Sequence, residues 1–366
     1  MPTSTRPVRV LFLPDYSTAN AYQRALATGL RDLGVEVRAD RTRSRRLAPV
    51  LEALRSSGRP DVIHLHWTEP YIARGPRVSA LKARRTLLEL RLARRAGIRI
   101  VWTAHDLFRH DRREDPAERA FMRSLFDLAD AVIVHCETAA DGLAAVLDPA
   151  PTARAKIHVI PHGHYRGAYP DDISREAARA RLDLPAGARV IAFTGWVRAY
   201  KGVIELVEAF TTLPEPYARL VIAGQAVDAE YATRLVALVN ADPRVRLDLG
   251  FVPDEELQVY LRAADVVACP FLEIFTSGSV LLAMSFERAV IAPRRGCVTE
   301  TLDEAGGILY DDDDPQGLEG ALGVAMRADL ASMGRHNGER LKRFDWSRVA
   351  EATLATYREA IERPGR

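Results

Sequence analysis

Two spacings of apolar residues alternate along this chain. Short runs rich in Val, Ile and Leu read as buried strands, at Val8–Leu13, Val35–Arg38, Val62–His66, Ile98–Thr103, Ala131–Cys136 and Ile157–Ile160. Between them, apolar residues three and four positions apart mark helices at Ala21–Leu33, Leu47–Ser56, Ser79–Ala96 and Pro116–Leu128. The alternation starts again near Arg189, with strands at Val190–Thr194, Leu220–Ala223, Val245–Leu249, Val266–Ala268, Val290–Ala292 and Ile308–Tyr310. Helical spacing fills the gaps at Val203–Thr211, Ala229–Asn240, Asp254–Ala263 and Gly278–Ser285. Strands alternating with helices argue parallel sheets covered on both faces, so the pattern predicts two doubly wound α/β domains in tandem. Pro161–Ile173, rich in Gly, Tyr and Pro, reads as the linker. The expected boundaries are 1–163 and 164–345, followed by a terminal segment 346–366. The helix there, Ser347–Ile361, has no strand after it and must dock on something already built.

Composition narrows the class. The chain of 366 residues, 48% hydrophobic and 27% charged, suits a soluble globular protein of two domains. A net charge of +2 calls for no nucleic acid. Met1–Pro7 lacks the apolar core of a signal peptide, and no apolar run is long enough to span a bilayer. Cys136, Cys269 and Cys297 are isolated and odd in number, which suggests a reducing compartment. The expectation is a cytoplasmic protein.

Candidate chemistry concentrates just after strands, where open α/β sheets bind ligands. The loop Gly195-Trp196-Val197-Arg198-Ala199-Tyr200-Lys201-Gly202 joins a strand to a helix and carries two cations and two glycines. Unpaired N–H groups and the helix dipole make such a loop a phosphate site. Lys201 stands out because only Lys82, Lys156 and Lys342 are also Lys in an Arg-rich chain. A compact ammonium is wanted here. A second segment, Phe271–Met284, opens an apolar helix with Thr276, Ser277, Gly278 and Ser279. That small, polar start suits a diphosphate, with Ser as N-cap and Gly allowing close approach. Glu273 just before it would repel phosphate, so it suits neutral hydroxyls such as those of a sugar. Gln225 also follows a strand. In the first half, Asp15, His66, Glu69, His105 and Asp106 occupy equivalent positions. Each alone reads as a solvated loop or capping residue; the shared location argues for a site. The Asp311–Asp314 run is a weaker candidate for a cation, because carboxylates before Pro315 solvate a loop and start a helix.

With these residues in place, the chain resembles, over essentially its whole length, a retaining GT-B glycosyltransferase of family 4 that uses nucleotide sugars. Family members carry Gly-Arg-Leu-x-x-x-Lys-Gly, whose cations hold the donor diphosphate, and Glu-x7-Glu, whose carboxylates contact donor sugar and ribose. Lys201 and Gly202 match the first pattern, with Trp196 at the usual Arg and Arg198 as the nearby cation. Glu273 matches the first Glu, and Leu281 stands where the ribose contact belongs. A subset with Arg-x-Tyr-Lys-Gly and Ser-Gly is most similar. It shares Asn20-Ala21-Tyr22-Gln23, Trp67-Thr68-Glu69-Pro70-Tyr71 and Ile160-Pro161-His162-Gly163. Pro14–Asn20 replaces the Gly-Gly of many first-domain donor loops.

The resemblance implies a GT-B fold, two Rossmann-like domains facing across a cleft, with acceptor bound by 1–163 and donor by 164–345, and 346–366 crossing back to the first domain. It implies His105, Arg198, Lys201 and Glu273 as catalytic residues. Gly195, Gly202, Gln225, Thr276, Ser277, Gly278, Ser279 and Glu300 would hold the donor, Glu300 reading equally as a helix cap. Asp15, Asn20, His66, Glu69 and Asp106 would face sugar or acceptor, with Asp106 orienting the His105 ring. The implied reaction is hexosyl transfer with retention to a hydroxyl acceptor, with no cofactor and no metal. The leaving phosphate would take the acceptor's proton. Ser79–Arg95 sets Lys82, Arg84, Arg85, Arg91, Arg94 and Arg95 among Leu residues, and Arg41–Arg46 adds a second cluster. Two readings stand: a solvated helix packing its Leu face inward, slightly preferred, or docking on an anionic membrane. A nucleotide-sugar epimerase and a non-catalytic nucleotide-sugar scaffold are the alternatives to transfer.

Overall fold

The computed structural model describes residues 6–40, 48–72, 76–106, 116–147 and 151–363. The Arg41–Arg46 cluster lies outside the described residues. The chain divides into two compact units, Met1–Gly163 with Asp345–Arg366, and His164–Phe344.

Unit 1 holds six parallel strands: β1 (Arg9–Leu13), β2 (Glu36–Ala39), β3 (Val62–Leu65), β4 (Arg99–Thr103), β5 (Ala131–Val134) and β6 (Ile157–Val159). Their order across the sheet is β2-β1-β3-β4-β5-β6. The chain steps outward from β1 to β2, then resumes on the other side with β3, so the order reverses between β1 and β3. β3 and β5 are buried at every position, as expected when helices cover both faces. The helix Ala21–Asp32 begins at Asn20, whose side chain accepts from Gln23 N at 3.2 Å. The terminal helix Trp346–Glu362 packs on Ala21–Asp32 and on β4 and β5. Val349, Ala350, Leu354 and Tyr357 enter the same core as Phe12, Leu26 and Leu30. Full burial of a side chain the size of Val349 or Leu354 contributes roughly 1.5–3 kcal/mol. The helix starts at Asp345, whose carboxylate accepts from Ser347 N at 2.9 Å. Asp345 therefore belongs with unit 1, one residue before the expected boundary.

Pro76–Arg95 is one continuous helix. Ala83, Leu87, Leu90 and Ala93 face inward, while Leu81, Leu88 and Leu92 are 71%, 52% and 42% exposed. The Leu face expected to pack inward does so at Leu87 and Leu90 and not at Leu81, Leu88 and Leu92. Residues 81, 88 and 92 are seven and four apart and share the outer face.

Unit 2 holds β7 (Arg189–Thr194), β8 (Ala218–Gly224), β9 (Val245–Leu249), β10 (Val266–Ala268), β11 (Ala289–Pro293) and β12 (Gly307–Tyr310), again all parallel. The order is β12-β11-β10-β7-β8-β9, and it reverses between β7 and β10. Pro161–Ile173 is more than a tether, since Tyr165 and Tyr169 pack on the unit 2 core and Tyr165 N donates to Ser285 Oγ at 2.9 Å. The helix expected from Asp254 begins at Leu257.

The amino ends of the strands are pinned the same way in both units. Asp61 precedes β3 and accepts from Arg9 N of β1 at 2.9 Å. Asp130 precedes β5 and accepts from Ile100 N of β4 at 2.9 Å, with Arg94 at 3.0 Å. Asp265 precedes β10 and accepts from Val190 N of β7 at 2.7 Å, with Arg179 at 2.8 Å. These carboxylates sit at the end of each sheet opposite the residues singled out from the sequence.

Candidate active site

In unit 2 the order reversal brings together the loops after β7 and β10. The Tyr200 carbonyl accepts from Leu272 N at 2.9 Å and Glu273 N at 3.4 Å, which ties one loop to the other. Gly202 closes the join. Its φ is +68°, and a Cβ there would lie 2.0 Å from the Pro270 carbonyl oxygen, so no other residue fits without moving backbone. Gly224 does the same for Gly195, because a Cβ on it would meet the Gly195 oxygen at 1.7 Å.

This clamp sets the cations. Lys201 Nζ lies 4.5 Å from the centre of the Phe271 ring and 5.5 Å from that of Tyr200, a geometry in which ring quadrupoles hold an ammonium. Arg198 is half-buried, with its guanidinium carbon 5.5 Å from the half-exposed Trp196 ring. Its Nε is buried and has no hydrogen-bond partner among the described residues. Burial pushes the nearby Cys269 thiol up to about 12, opposed by the Lys201 charge. It is therefore no nucleophile at neutral pH.

The helix Gly278–Ser285 starts beside Glu273, as expected, and Ser277 Oγ accepts from Val280 N at 3.2 Å. Thr276, Ser277, Gly278 and Ser279 are all half-buried. Leu281 is 2% exposed and belongs to the core around Phe271 and Met284. A carboxylate there would be buried among apolar side chains, so this position offers no ribose contact. Gln225 is exposed, and its carbonyl accepts from Val197 N at 2.9 Å. Glu300 is exposed in the short helix Val298–Thr301, its carbonyl accepting from Arg340 at 3.2 Å. Three of the four Asp311–Asp314 carboxylates are engaged locally: Asp311 pairs with Arg294 at 3.3 Å, Asp312 with Arg295, and Asp314 accepts from Gln316 N at 2.9 Å.

In unit 1 the loops after β1, β3 and β4 converge. Asp15 is half-buried and accepts from Ser17 N at 3.0 Å and Ser17 Oγ at 2.6 Å. Asn20 Oδ1 caps the helix that follows. Gln23, fully buried, binds the Pro14 carbonyl at 2.8 Å and Tyr16 N at 2.6 Å, and so shapes the Pro14–Asn20 loop. Glu69 is exposed and Asp106 half-buried. His66 and His105 are brought together, with His66 Nδ1 3.4 Å from His105 Nε2. His105 stacks on Trp67 at 4.5 Å and 10°.

Sequence reasoning missed that the loop after β5 completes this group. His105 Nδ1 lies 3.2 Å from His135 Nε2. His64, buried in β3, binds Tyr357 at 2.6 Å and Thr103 at 2.7 Å. His162 follows β6, and the Tyr22 ring touches His66, His105, His135 and His162. Burial holds His64, His66 and His105 well below the usual imidazole range. It pushes His135 down to about 4 and His162 to about 3. The available signal was position, since each lies in a buried strand or just beyond its carboxyl end.

A family model described as Glycosyltransferase Family 4 matches residues 8–164, and one described as Glycosyl transferases group 1 matches residues 188–327. A GDP-mannose:glycolipid 4-beta-D-mannosyltransferase of Xanthomonas campestris pv. campestris is 28% identical over 86% of this chain and 83% of its own. A D-inositol 3-phosphate glycosyltransferase of Mycolicibacterium vanbaalenii is 32% identical over 74% of this chain and 63% of its own. Among solved structures, sucrose-phosphate synthase from Thermosynechococcus elongatus superposes with a TM-score of 0.76 at 21% identity, over 96% of this chain and 98% of that one. Anabaena HepE, solved with UDP and glucose, superposes with a TM-score of 0.70 at 15% identity, over 96% and 99%.

Proposed function

The chain belongs to the GT-B glycosyltransferases of the family 4 type and is a hexosyltransferase, and on that premise we propose that it moves a hexosyl group from a nucleoside-diphosphate sugar to a hydroxyl acceptor, with retention and without a metal. The carrying observation is the unit 2 clamp, which holds the loop of Arg198 and Lys201 against the Phe271–Glu273 segment that leads into the Gly278–Ser285 helix. As the bond from the anomeric carbon to the diphosphate breaks, negative charge grows on the leaving phosphate. Two cations and a helix start stabilise that charge in place, the step at which fixed electrostatics most affects rate. The leaving phosphate takes the acceptor hydroxyl's proton as the new glycosidic bond forms on the same face. Glu273, on the loop between them, hydrogen-bonds donor sugar hydroxyls.

The anomeric outcome has a second reading, favoured by the β-linkage in the name of the Xanthomonas relative. From an α-linked donor, a β product requires inversion and a base on the acceptor hydroxyl. The anomeric proton coupling of the product decides: an α product supports retention and a β product overturns it. Nucleoside diphosphate released from UDP-, GDP- or ADP-sugars only when acceptor is present supports transfer. Epimerisation of donor alone overturns it, and tight binding without turnover favours a scaffold.

The partner surface we propose for unit 1 is an anionic lipid surface. No helix among the described residues is long and apolar enough to cross a membrane. The helix Pro76–Arg95, however, exposes Leu81, Leu88 and Leu92 beside Arg84, Arg91 and Arg95. Apolar insertion flanked by cations is the chemistry of peripheral attachment. Co-sedimentation with phosphatidylglycerol vesicles and none with phosphatidylcholine supports this; equal retention on both overturns it.

A further inference from the structure

The histidines of unit 1 form a row whose hydrogens can be placed from one end. The Ile160 carbonyl can only accept, so His135 Nδ1, 3.0 Å away, carries a hydrogen. His135 is buried and neutral, which leaves its Nε2 bare to accept from His105 Nδ1 at 3.2 Å. His105, buried in turn, then has a bare Nε2 that accepts from His66 Nδ1 at 3.4 Å. Each neutral ring donates with one nitrogen and accepts with the other, so the choice at Ile160 propagates to the end. The end is His66 Nε2. That atom is buried in a side chain 1% exposed, and it has no hydrogen-bond partner among the described residues. A buried acceptor without a donor is costly, and a ligand hydroxyl would relieve the cost. The rings are held against rotation by Trp67 stacked on His105 and by the Tyr22 edge against both His66 and His105.

We infer that the Ile160 carbonyl fixes the tautomers of His135, His105 and His66 together, and so presents the His66 Nε2 lone pair at the carboxyl end of β3 as the acceptor for a carbohydrate hydroxyl. His135 is then a positioning residue, acting through His105. The identity of the ligand rests on the glycosyl-transfer reading; the tautomers do not.

Long-range ¹H–¹⁵N correlation on the full chain, labelled at histidine, reads the row directly. At neutral pH the expected result is Nδ1–H with bare Nε2 at all three residues; a hydrogen on His66 Nε2 overturns the proposal. UDP-glucose and GDP-mannose are then added, each followed by a methyl glycoside. A shift of the His66 Nε2 resonance with the nucleotide sugar assigns the hydroxyl to the donor. A shift only on adding the glycoside assigns it to the acceptor, and no shift with transfer intact overturns the proposal alone. No binding and no transfer with any donor overturns the reading it rests on, while the tautomers still answer for the row. Two substitutions sharpen the result. His66→Gln keeps a polar atom near the place of Nε2, whereas His66→Asn reaches only the place of Nδ1. The KM of the sugar substrate should rise roughly five- to tenfold in His66→Asn and less than about twofold in His66→Gln. Equal effects overturn the proposal. His135→Phe, which removes the acceptor at His105 Nδ1, should mix the His105 tautomers, and an unchanged single tautomer there overturns the positioning role of His135.

Discussion

The two units solve one problem in opposite ways. Both are six-stranded parallel sheets whose order reverses once; unit 2 gathers its distinctive residues where it reverses, whereas unit 1 spreads them over the carboxyl ends of β3, β4, β5 and β6. In unit 2 those residues are cations on a glycine clamp. In unit 1 they are neutral imidazoles among aromatic rings, sealed from water and bonded to one another. Charge at a loop stabilises an anion as it forms, while uncharged imidazoles select by where their hydrogens are. The difference teaches that a shared position in the fold fixes where chemistry happens and leaves its kind to local burial.

The largest expected effect breaks the comparison on the unit 2 side. Lys201→Ala should lower kcat by roughly 10²–10³ with the far-ultraviolet circular dichroism unchanged; near-normal turnover removes the diphosphate role. Next is the clamp itself. Gly202→Ala places a Cβ against the Pro270 carbonyl at a left-handed φ, and should cost about 3 kcal/mol or more in urea unfolding. A loss under 1 kcal/mol would mean that the two loops are not pressed together.

The third prediction addresses unit 1. Its buried histidines have folded pKa values below the unfolded 6.5, so the unfolded chain binds more protons as pH falls. Stability is full above about pH 6.5 and is lost as pH falls toward the folded values, about 4 for His135. The slope should be about 1.4 kcal/mol per pH unit for each histidine involved. Hydrogen exchange at pH 5 should show β4 opening before β7, and simultaneous opening would contradict the burial argument. The smallest effect is at the surface. Leu88→Ser should weaken binding to phosphatidylglycerol vesicles several-fold and change stability by no more than about 0.5 kcal/mol.

Sequence spacing located several elements to the residue, as at Val245–Leu249, where apolar and charged residues alternate, at the apolar run Val266–Ala268 and at Gly278–Ser285. It passed over the helices Gly317–Ala325 and Leu330–Arg340, whose glycines interrupt the pattern. Gly334 is there because a Cβ would meet the Glu287 carbonyl oxygen at 2.1 Å, and packing of that kind leaves no periodic trace. The unit 2 candidates were legible because Arg198, Lys201 and Glu273 are charged residues on loops beside apolar runs. His135 was not, because a neutral imidazole at a strand end looks like any core residue, and its partners lie far away in sequence. Leu281 was seen as a departure from the family pattern; its burial in the core gave the physical meaning.

The contact between His64 and Tyr357 spans 293 residues. Unit 2 is continuous in sequence, so it can be complete while unit 1, begun first on the ribosome, still lacks the helix that fills its core. The older half of the nascent chain must wait for the youngest residues, keeping Leu26 and Leu30 uncovered throughout synthesis of unit 2. Folding of the first-made sheet is thus timed by synthesis of the Trp346–Glu362 helix, and any arrest of translation before Trp346 leaves a half-built unit for chaperones to hold.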